Sequence, residues 1–414
     1  MIKEKLGVST LVLVIAVVIT AVVVGAGTYV LVPKGAVTGG MTTTVTTTKT
    51  VTPGEETFKV GFLYSSPIGD YGWYYAQDRA RKMLDEQYDW LETIAAESVS
   101  PADSPGVLEQ MAEEGVKLIF IGSAEHTEAA FDAANKHPDI IYYVVGGYKR
   151  TKNLGAFHSI WHETTYLHGM MGAALSKSGK AGALMPFPMP DLIGQINTFT
   201  IGAKEINPNF VTKVIETGAY YDPGTGATVT RTLIDWGADV ITGVEDTPSD
   251  AREAQKYYEE TGNQVYTFSR YSPFLEYGPD VVLSGCLYHW EKLMLPLILK
   301  ARIGICESEK FIWVEMRDGV EELGATWNTP INPKFVDALK AVKTTDPVFG
   351  EISVYDLVME RVAQFKDTRV NFDPFTGPLY DTNGNLKARA GETMPEDAVL
   401  WAMDWFVQGV IPPE

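Results

Sequence analysis

The chain after position 57 alternates short apolar runs with longer amphipathic stretches. The short runs are rich in Val, Ile and Phe, which suit buried strands, whereas the longer stretches place apolar residues at helical spacing. The pattern predicts strands at 58–64, 117–121, 140–145, 180–185, 210–215, 240–243, 265–268 and 281–284. It predicts helices at 74–88, 125–136, 162–176, 193–206, 226–237 and 249–261.

This alternation of strands and helices is typical of parallel sheets that are covered by helices on both faces. The series is interrupted near residues 153–162 and then restarts, which favours two similar α/β lobes over one large sheet. Ligands of open parallel sheets bind beyond the carboxyl ends of the strands. Two lobes that face each other would therefore place both sets of loops on one cleft.

Aromatic residues and carboxylates recur at these loop ends. In the first lobe, Asp70, Tyr71 and Trp73 follow the first strand, and Tyr148 follows the 140–145 strand. The crossing to the second lobe and the strands beyond it supply Trp161, Phe187, Tyr220, Asp246 and Tyr271. We predict that these side chains line the cleft.

The N-terminal residues form a different kind of segment. Positions 6–32 carry no charge, and a helix of about 27 residues would reach roughly 40 Å, more than the ~30 Å hydrocarbon core of a bilayer. Lys3 and Lys5 precede this run and favour a cytoplasmic N-terminus. The pattern predicts an uncleaved transmembrane anchor at 1–32, with a cleaved signal as the alternative. A Thr-rich linker at 33–57 would place the remaining chain outside the cytoplasm, on the extracellular side of the cell membrane.

Charge and composition narrow the function. The 414 residues include 34 Lys and Arg against 53 Asp and Glu, which gives a formal net charge of −19. Such an acidic surface would repel phosphate backbones, so we expect no nucleic-acid partner. Hydrophobic residues make up 45% of the chain, which indicates a folded globular protein.

Motifs for catalysis and for cofactors are missing from the sequence. There is no GxSxG, no HExxH and no phosphate-binding loop, so we expect no catalytic residues, no cofactor and no metal. Segment 381–392 partly matches a calcium loop, but Leu386 stands where that loop requires Gly, and Asn383-Gly384 favours a hairpin. Only two cysteines occur, Cys286 and Cys306, and a disulfide between them is the less favoured possibility.

Seven stretches, in this order and at this spacing, resemble the basic membrane protein family of substrate-binding proteins that serve ABC importers. They are GDYGWYYAQDRARKML, AANKHPDIIYYVVGGYKRTKN, ETTYLHGMMGAALSKSGKAGAL, GQINTFTIGAKEINPNF, GAYYDP, LIDWGADVITGVEDTP and PFTGPLYDTNGNLKARAGET. The resemblance covers nearly all of 58–410 and is strongest to a purine-binding branch. It implies an α/β type I periplasmic-binding-protein fold with two doubly wound lobes and a three-stranded hinge, here preceded by the predicted N-terminal membrane helix.

The resemblance also implies domain limits and a function. Lobe 1 would comprise 58–156 and 281–312, and lobe 2 would comprise 157–280 and 313–414. The lobes would close on a purine nucleoside such as adenosine and deliver it to separate permease and ATPase subunits. A receptor for a free purine base is the first alternative, and a sensory ectodomain or a nucleoside-processing enzyme is less favoured.

Roles for individual residues follow from the same resemblance. Trp73 matches the family's stacking aromatic, although core packing at the start of a helix would also explain it. Trp161 or Tyr220 could cover the opposite face of a purine, and Asp246 matches a polar ligand contact. Asp70 could contact the ligand or cap the following helix. The candidate walls of the site are Tyr148, Phe187 and Tyr271, and Tyr71 is a further candidate ligand-binding residue.

Two departures from the family pattern leave nucleoside and free base open. Nucleoside-binding members carry an acidic residue where this chain reads Ser269-Arg270-Tyr271. They also carry a lysine where it reads Gly285-Cys286-Leu287-Tyr288. Both family residues are expected to hold the ribose end of the ligand.

Overall fold

The computed structural model describes residues 44–46, 56–69, 71–370 and 372–413. The predicted anchor at 1–32, most of the linker at 33–57 and the candidate Asp70 lie outside these ranges. Among the residues within them, no helix is both long enough and apolar enough to cross a membrane.

The described chain alternates strands and helices along most of its length. Its strands are β1 (Thr44–Thr46), β2 (Phe58–Leu63), β3 (Leu91–Ala96), β4 (Leu118–Ile121), β5 (Ile141–Val145), β6 (Leu154–Ser159), β7 (Lys180–Met185), β8 (Val211–Glu216), β9 (Val240–Gly243), β10 (Thr267–Tyr271), β11 (Val282–Tyr288), β12 (Ile312–Val314), β13 (Glu321–Leu323), β14 (Lys343–Asp346), β15 (Gly350–Ser353), β16 (Leu379–Tyr380), β17 (Leu386–Ala388) and β18 (Val410–Ile411). Its helices are α1 (Trp73–Gln87), α2 (Ser104–Glu113), α3 (Thr127–Lys136), α4 (His162–Leu175), α5 (Pro190–Ile206), α6 (Pro223–Asp235), α7 (Ser249–Thr261), α8 (Trp290–Arg302), α9 (Pro333–Ala341), α10 (Val354–Lys366) and α11 (Glu396–Ala402).

The larger sheet has seven strands in the order β1-β3-β2-β4-β5-β6-β12. Every neighbouring pair is parallel except β1 and β3. Its central strands β4 and β5 are buried along their whole length, because α1 and α8 pack on one face and α2 and α3 on the other. Continuous apolar strands of this kind are expected where helices cover both faces of a parallel sheet.

A second parallel sheet, in the order β18-β8-β7-β9, lies in the later part of the chain. Helices α4 and α5 cross closely beside it. A Cβ atom on Gly169 would collide with the carbonyl oxygen of Phe199, and one on Gly202 would collide with that of Tyr166. The two glycines therefore let the helix backbones approach each other, which brings the first turns of α4 and α5 together.

A three-stranded sheet, β10-β11-β13, lies beside the second sheet, and a bridge between Val240 and Tyr266 connects them. The chain leaves the larger sheet for the three-stranded and second sheets twice, after β6 and after β12. It returns from β11 to α8, which packs on the larger sheet. These crossings bring the ends of both parallel sheets near Trp161. The predicted α/β fold with parallel sheets is confirmed.

Some elements differ from the sequence prediction. Residues 153–162, predicted as a break between two series, contain β6 and the crossing that follows it. Strand β3 was not predicted because Glu92 and Thr93 interrupt its apolar pattern; Thr93 is buried and accepts a hydrogen bond from Arg81 at 2.9 Å. The Asn383-Gly384 turn does join two short antiparallel strands, β16 and β17, as the hairpin prediction required.

Candidate functional site

Trp73 joins the two parallel sheets. It is the first residue of α1, at the carboxyl end of β2, and its indole Nε1 donates to the carbonyl oxygen of Gly122 at 2.8 Å. Its backbone N–H donates to Asp246 Oδ1 at 3.3 Å. Because Asp246 follows β9 of the second sheet, this bond crosses from one α/β unit to the other.

The half-buried Trp73 ring stands in a cluster of aromatic edges. Trp161 meets it edge-on at a centroid distance of 5.7 Å, and both Tyr271 and Trp290 meet it edge-on at 5.3 Å. Tyr288 lies 6.1 Å away and stacks on Trp290 at 4.9 Å. Aromatic pairs favour such edge and offset arrangements. The cluster therefore fixes the ring plane of Trp73, and the residue as a whole remains partly exposed.

Three of the predicted site residues have left-handed backbone conformations. The φ angles of Tyr71, Trp161 and Tyr271 are 62°, 36° and 64°. Such conformations are costly for residues with bulky side chains and tend to cluster at ligand sites. The strain at these residues marks the same part of the molecule that the loop positions predicted.

The structure brings most of the predicted site residues together. Tyr220 accepts a hydrogen bond from the backbone N–H of Asp246 at 2.8 Å through its carbonyl oxygen, and its ring meets Phe187 edge-on at 5.8 Å. Tyr71 stacks on Tyr75 at 4.6 Å and lies edge-on to Tyr277 at 5.3 Å, beside the cluster around Trp73.

Tyr148 lies apart from this group. Its side chain is 59% exposed, and its hydroxyl donates to Glu128 at 3.2 Å. Among the described residues, no aromatic contact joins it to Trp73 or Trp161. The tyrosine follows β5 as predicted, but α3 holds it at the surface.

Behind Trp161 is a cavity of about 20 Å³, which has room for roughly one water molecule. Its lining comes from α4, α5, β9, β10 and β11 and consists of Trp161, Thr165, His168, Gln195, Thr242, Gly243, Phe268, Arg270, Tyr271 and Cys286. Trp161, Thr165 and His168 are spaced so that they share one face of a helix. Sequence analysis missed Thr165, His168 and Gln195, although the spacing after Trp161 could have indicated the first two.

Three of the residues that line this cavity each have a buried polar atom with no hydrogen-bond partner. The atoms are Trp161 Nε1, His168 Nε2 and Gln195 Nε2. Burial lowers the pKa of His168 to about 3, so its imidazole is neutral at physiological pH. Unpaired polar groups in the interior are costly, and ligand sites are a common place to find them.

Arg270 also lines the cavity, but four of its five N–H donors are already used. Its guanidinium binds both carboxylate oxygens of Asp250, at 2.8 and 3.0 Å. It also donates to the backbone oxygens of Glu245 and Thr247, each at 3.0 Å. The arginine therefore holds the loop after β9 in place. It offers no unpaired charge to a ligand.

The cysteines and the acidic residues give no further site. Cys286 and Cys306 are both free thiols, so they form no disulfide with each other. Within the described ranges, no group of three or more His, Cys, Asp or Glu residues could hold a metal ion.

The sequence matches a known protein family over residues 57–320. This family is described as ABC transporter substrate-binding proteins that are PnrA-like, or Bmp. The chain belongs to the Bmp family. The match extends from β2 to the 3-10 turn before β13 and includes Trp73, Trp161 and Asp246.

Curated relatives agree with this assignment. A purine-binding protein of Brucella abortus is 32% identical over 358 residues, which cover 86% of this chain and 93% of the relative. A putative ABC transporter glucose-binding protein of Haloferax volcanii is 32% identical over 311 residues, which cover 75% of this chain and 78% of the relative.

Solved structures share the fold. An ABC transporter solute-binding protein of Aeropyrum pernix superposes with a TM-score of 0.63 at 17% identity, covering 77% of this chain and 93% of its own. A solute-binding protein of an ABC transporter system from Conexibacter woesei superposes with a TM-score of 0.59 at 16% identity. The match covers 77% of this chain and 99% of the other. The Bmp protein therefore has an α/β fold like that of periplasmic binding proteins.

Membership of the Bmp family confirms two predictions. The chain is a substrate-binding protein of an ABC transporter and not an enzyme. Such a protein binds a ligand and works with permease and ATPase subunits. It acts outside the cell or in the periplasm.

Proposed function

We propose that this chain captures a purine between its two α/β lobes and passes it to a membrane permease. The observation that carries the proposal is the position of Trp73. This half-buried residue lies where the sheet ends meet, beside Trp161 and Tyr271, and its backbone N–H donates to Asp246, which follows β9 of the other sheet. The purine-binding relative from Brucella abortus supports the choice of ligand.

The binding mechanism is closure of the lobes on the ligand. A purine ring would stack on Trp73, with Trp161 or Tyr220 as candidates for its other face, and Asp246 would accept hydrogen bonds from ring or amino N–H groups. Ligand contacts to both lobes would stabilise the closed state, with the segments after β6, β11 and β12 as the hinge. The lobes would have the limits predicted from the sequence, 58–156 with 281–312 and 157–280 with 313–414, except that β6 and β12 would belong whole to lobe 1, because both are strands of the larger sheet.

The electrostatics of the cavity favour a neutral ligand. Arg270 is paired with Asp250 and with backbone oxygens, and His168 is uncharged. A phosphate group would find no unpaired cation among the residues that line the cavity. This supports a base or a nucleoside over a nucleotide.

Adenosine was the ligand expected from the sequence, but one observation favours a free base as a second candidate. Where nucleoside-binding members hold ribose, Ser269 Oγ accepts a hydrogen bond from the backbone of Phe274 at 2.9 Å. Tyr271 and Tyr288 stack on each other nearby at 6.2 Å. These positions offer aromatic rings where a sugar would need a carboxylate or an ammonium group.

Replacing Trp73 with Ala tests the stacking role. Loss of one base–aromatic stack should weaken purine binding by about 1–3 kcal/mol. Isothermal titration with adenine, adenosine and glucose would measure this and would also identify the preferred ligand class. Trp236→Ala is the control, because that half-buried indole packs against Lys180 on the second sheet, away from the cluster.

Unchanged purine affinity in the Trp73→Ala variant would refute the stacking role. Binding of glucose but of no purine would refute the proposed ligand. Mass spectrometry of small molecules that are released when the purified protein is denatured gives an independent identification.

We also propose that residues 1–32 anchor the protein to the membrane, with the binding domain outside. Fractionation of cells that express the full chain should find it in the membrane pellet. A chain that begins at Thr57 and is exported by a cleavable signal should be released instead. Release of the full chain would contradict the anchor.

A further inference from the structure

The turn between β11 and α8 carries two of the rings that surround Trp73. Tyr288 is the last residue of β11 and Trp290 is the first of α8, and their rings stack on each other at 4.9 Å. Trp290 meets Trp73 edge-on at 5.3 Å, and Tyr288 lies 6.1 Å from it. Whatever fixes this turn therefore also fixes the surroundings of the proposed stacking ring.

His289, in the middle of the turn, is bound to a carboxylate on each side. Its Nδ1 lies 2.9 Å from Glu291 Oε1, in the first turn of α8, and its Nε2 lies 2.6 Å from Glu322 Oε2, in β13. An ionised carboxylate only accepts hydrogen bonds, and a neutral imidazole has only one N–H. The two contacts together therefore require a ring that is protonated on both nitrogens.

These contacts extend to the helix that begins with Trp73. Arg79 of α1 donates to Glu291 Oε2 at 3.2 Å and to the carbonyl oxygen of Tyr288 at 3.0 Å. Glu291 therefore joins α1 to His289, and His289 joins both of them to β13. Three elements that meet near the stacking ring are held by one set of hydrogen bonds.

The charged groups packed around His289 come from these same elements. They are Glu291 and Lys292 of α8, Glu322 of β13 and Arg79 of α1. Lys292 is engaged with the carbonyl oxygen of Gly319 at 2.9 Å, and Arg79 is engaged with Glu291. The imidazolium of His289 is thus the cation that hydrogen-bonds to Glu322, in a place where its side chain is only 15% exposed.

We propose that protonated His289 is a positioning residue for purine capture, which holds the Tyr288–Trp290 turn against Trp73 by binding Glu291 and Glu322 at once. The inference rests on the proposed purine function and adds to it a dependence on pH. His289 acts through the two rings beside it and does not touch the ligand. A purine that selects this arrangement is bound together with the proton, so the two binding events are coupled.

The direction of the pH dependence follows from the contacts. Hydrogen bonds to Glu291 and then to Glu322 raise the pKa of His289 above its usual value of about 6.5. Burial acts in the opposite direction on the two carboxyls, but hydrogen bonding to His289 lowers the pKa of both. As the pH rises through the raised pKa of His289, the ring keeps one N–H, and one carboxylate then faces a lone pair. Purine affinity should therefore be greatest near pH 6 and should fall towards pH 8.5.

The test is isothermal titration of the purified chain with adenine at pH 6, 7, 8 and 8.5, where adenine itself stays neutral. The wild-type affinity should fall about 3- to 10-fold across this range. His289→Gln keeps an amide donor but carries no charge, so it should bind adenine with the lower affinity at every pH. Glu291→Gln removes the first of the two bonds that raise the pKa of His289, so the fall should begin at a lower pH.

His137→Gln is the matched control. It makes the same replacement at a histidine whose Nε2 lies 2.9 Å from Glu109 Oε2, just after α3 and on the opposite face of the larger sheet from α1 and α8. This variant should keep the wild-type pH dependence. Thermal unfolding at pH 6 would show whether each variant folds.

A measurement without ligand tests the protonation directly. In NMR spectra of the chain with labelled histidine, the His289 ring signal is the one that His289→Gln removes. It should titrate with a pKa above about 6.5. A value at or below this would overturn the inference even if the variants did not fold.

The outcomes separate this inference from the proposed function. If the wild-type affinity for adenine is the same at pH 6 and pH 8.5, or if His289→Gln keeps the fall, His289 does not position the site. Adenine binding that depends on Trp73 but not on pH would overturn only the role of His289. If the wild-type chain binds no purine at any pH, the proposed function fails together with this inference.

Discussion

The two regions on either side of the Trp73–Trp161 contact differ in what they can offer a ligand. The indole N–H of Trp73 is bound to Gly122 and its ring packs against other aromatic rings, so only the exposed part of that ring is left for a ligand. Trp161 is buried with its N–H unpartnered, next to His168 and Gln195. The first region can supply affinity through stacking, which tolerates many rings. The second can supply selectivity, because hydrogen bonds are directional.

The largest loss of stability is expected from breaking the buried ion pair beside the polar region, meaning the surroundings of Trp161, His168 and Gln195. Asp250→Ala would leave the Arg270 guanidinium buried without its carboxylate, which should lower the free energy of unfolding by about 3–5 kcal/mol. Urea denaturation measures this. Asp235→Ala is the control, because Asp235 pairs with Arg231 on an exposed helix surface, where a pair contributes at most about 1 kcal/mol.

A loss of less than 1 kcal/mol in Asp250→Ala would show that the pair does not support the loop after β9. The polar region would then be held by its backbone hydrogen bonds alone. In that case the rigidity of the polar region would not depend on the Arg270–Asp250 pair.

The second prediction concerns how the free energy of unfolding depends on pH. The group involved is Glu321, which lies next to the first turn of α4, just after Trp161. Glu321 is buried beside α4, where it accepts hydrogen bonds from Thr164 Oγ1 at 2.6 Å and from the Thr164 backbone at 3.3 Å. Burial raises the pKa of Glu321 to about 7. Burial, and then the nearby Glu321, also raise the pKa of Glu163.

The raised pKa means that the folded state binds more protons than the unfolded state between pH 4.5 and 7. The free energy of unfolding should therefore fall as the pH rises through this range, by at most about 3 kcal/mol from Glu321. Glu321→Gln should remove most of this slope in urea titrations at pH 5, 6, 7 and 8. Glu322→Gln is the control, because hydrogen bonding to His289 helps to lower the pKa of that neighbouring carboxyl.

An unchanged slope in Glu321→Gln would contradict this assignment. Glu163 would then be the group to replace, since it accepts a hydrogen bond from the backbone of Met316 at 2.7 Å and burial raises its pKa as well.

The same contrast explains what the sequence could predict. Strands such as β7 and helices such as α7 were predicted with their observed bounds, because apolar periodicity follows directly from burial on a sheet or along a helix face. Trp73, Trp161 and Asp246 were predicted because loop ends of parallel strands meet by topology. Whether these residues contact a ligand remains a prediction.

His168 and Gln195 do not lie at loop ends, so the positions of the loops could not indicate them. Each lies inside a helix, where a single polar residue is usual. Their meeting depends on the close crossing of α4 and α5 at Gly169 and Gly202, which is a tertiary contact. Tyr148 is the opposite case, since it has the expected loop position but bonds to Glu128 of α3 at the surface, and its role as a wall of the site stays a prediction.

The smallest effect is expected where the two regions touch directly. A Cβ atom at Gly72 would lie 2.6 Å from the carbonyl oxygen of Asp246, so Gly72→Ala should push the loop before α1 away from the second sheet. The lobes would then close less completely, and we expect purine affinity to fall about tenfold, or roughly 1.4 kcal/mol. Gly69→Ala is the matched control in the same loop, because a Cβ there meets no atom within 4 Å. Equal affinities for the two variants would mean that contact between Gly72 and Asp246 is not needed for binding. If instead only Gly72→Ala weakens adenine binding, closure of this loop against Asp246 contributes to affinity.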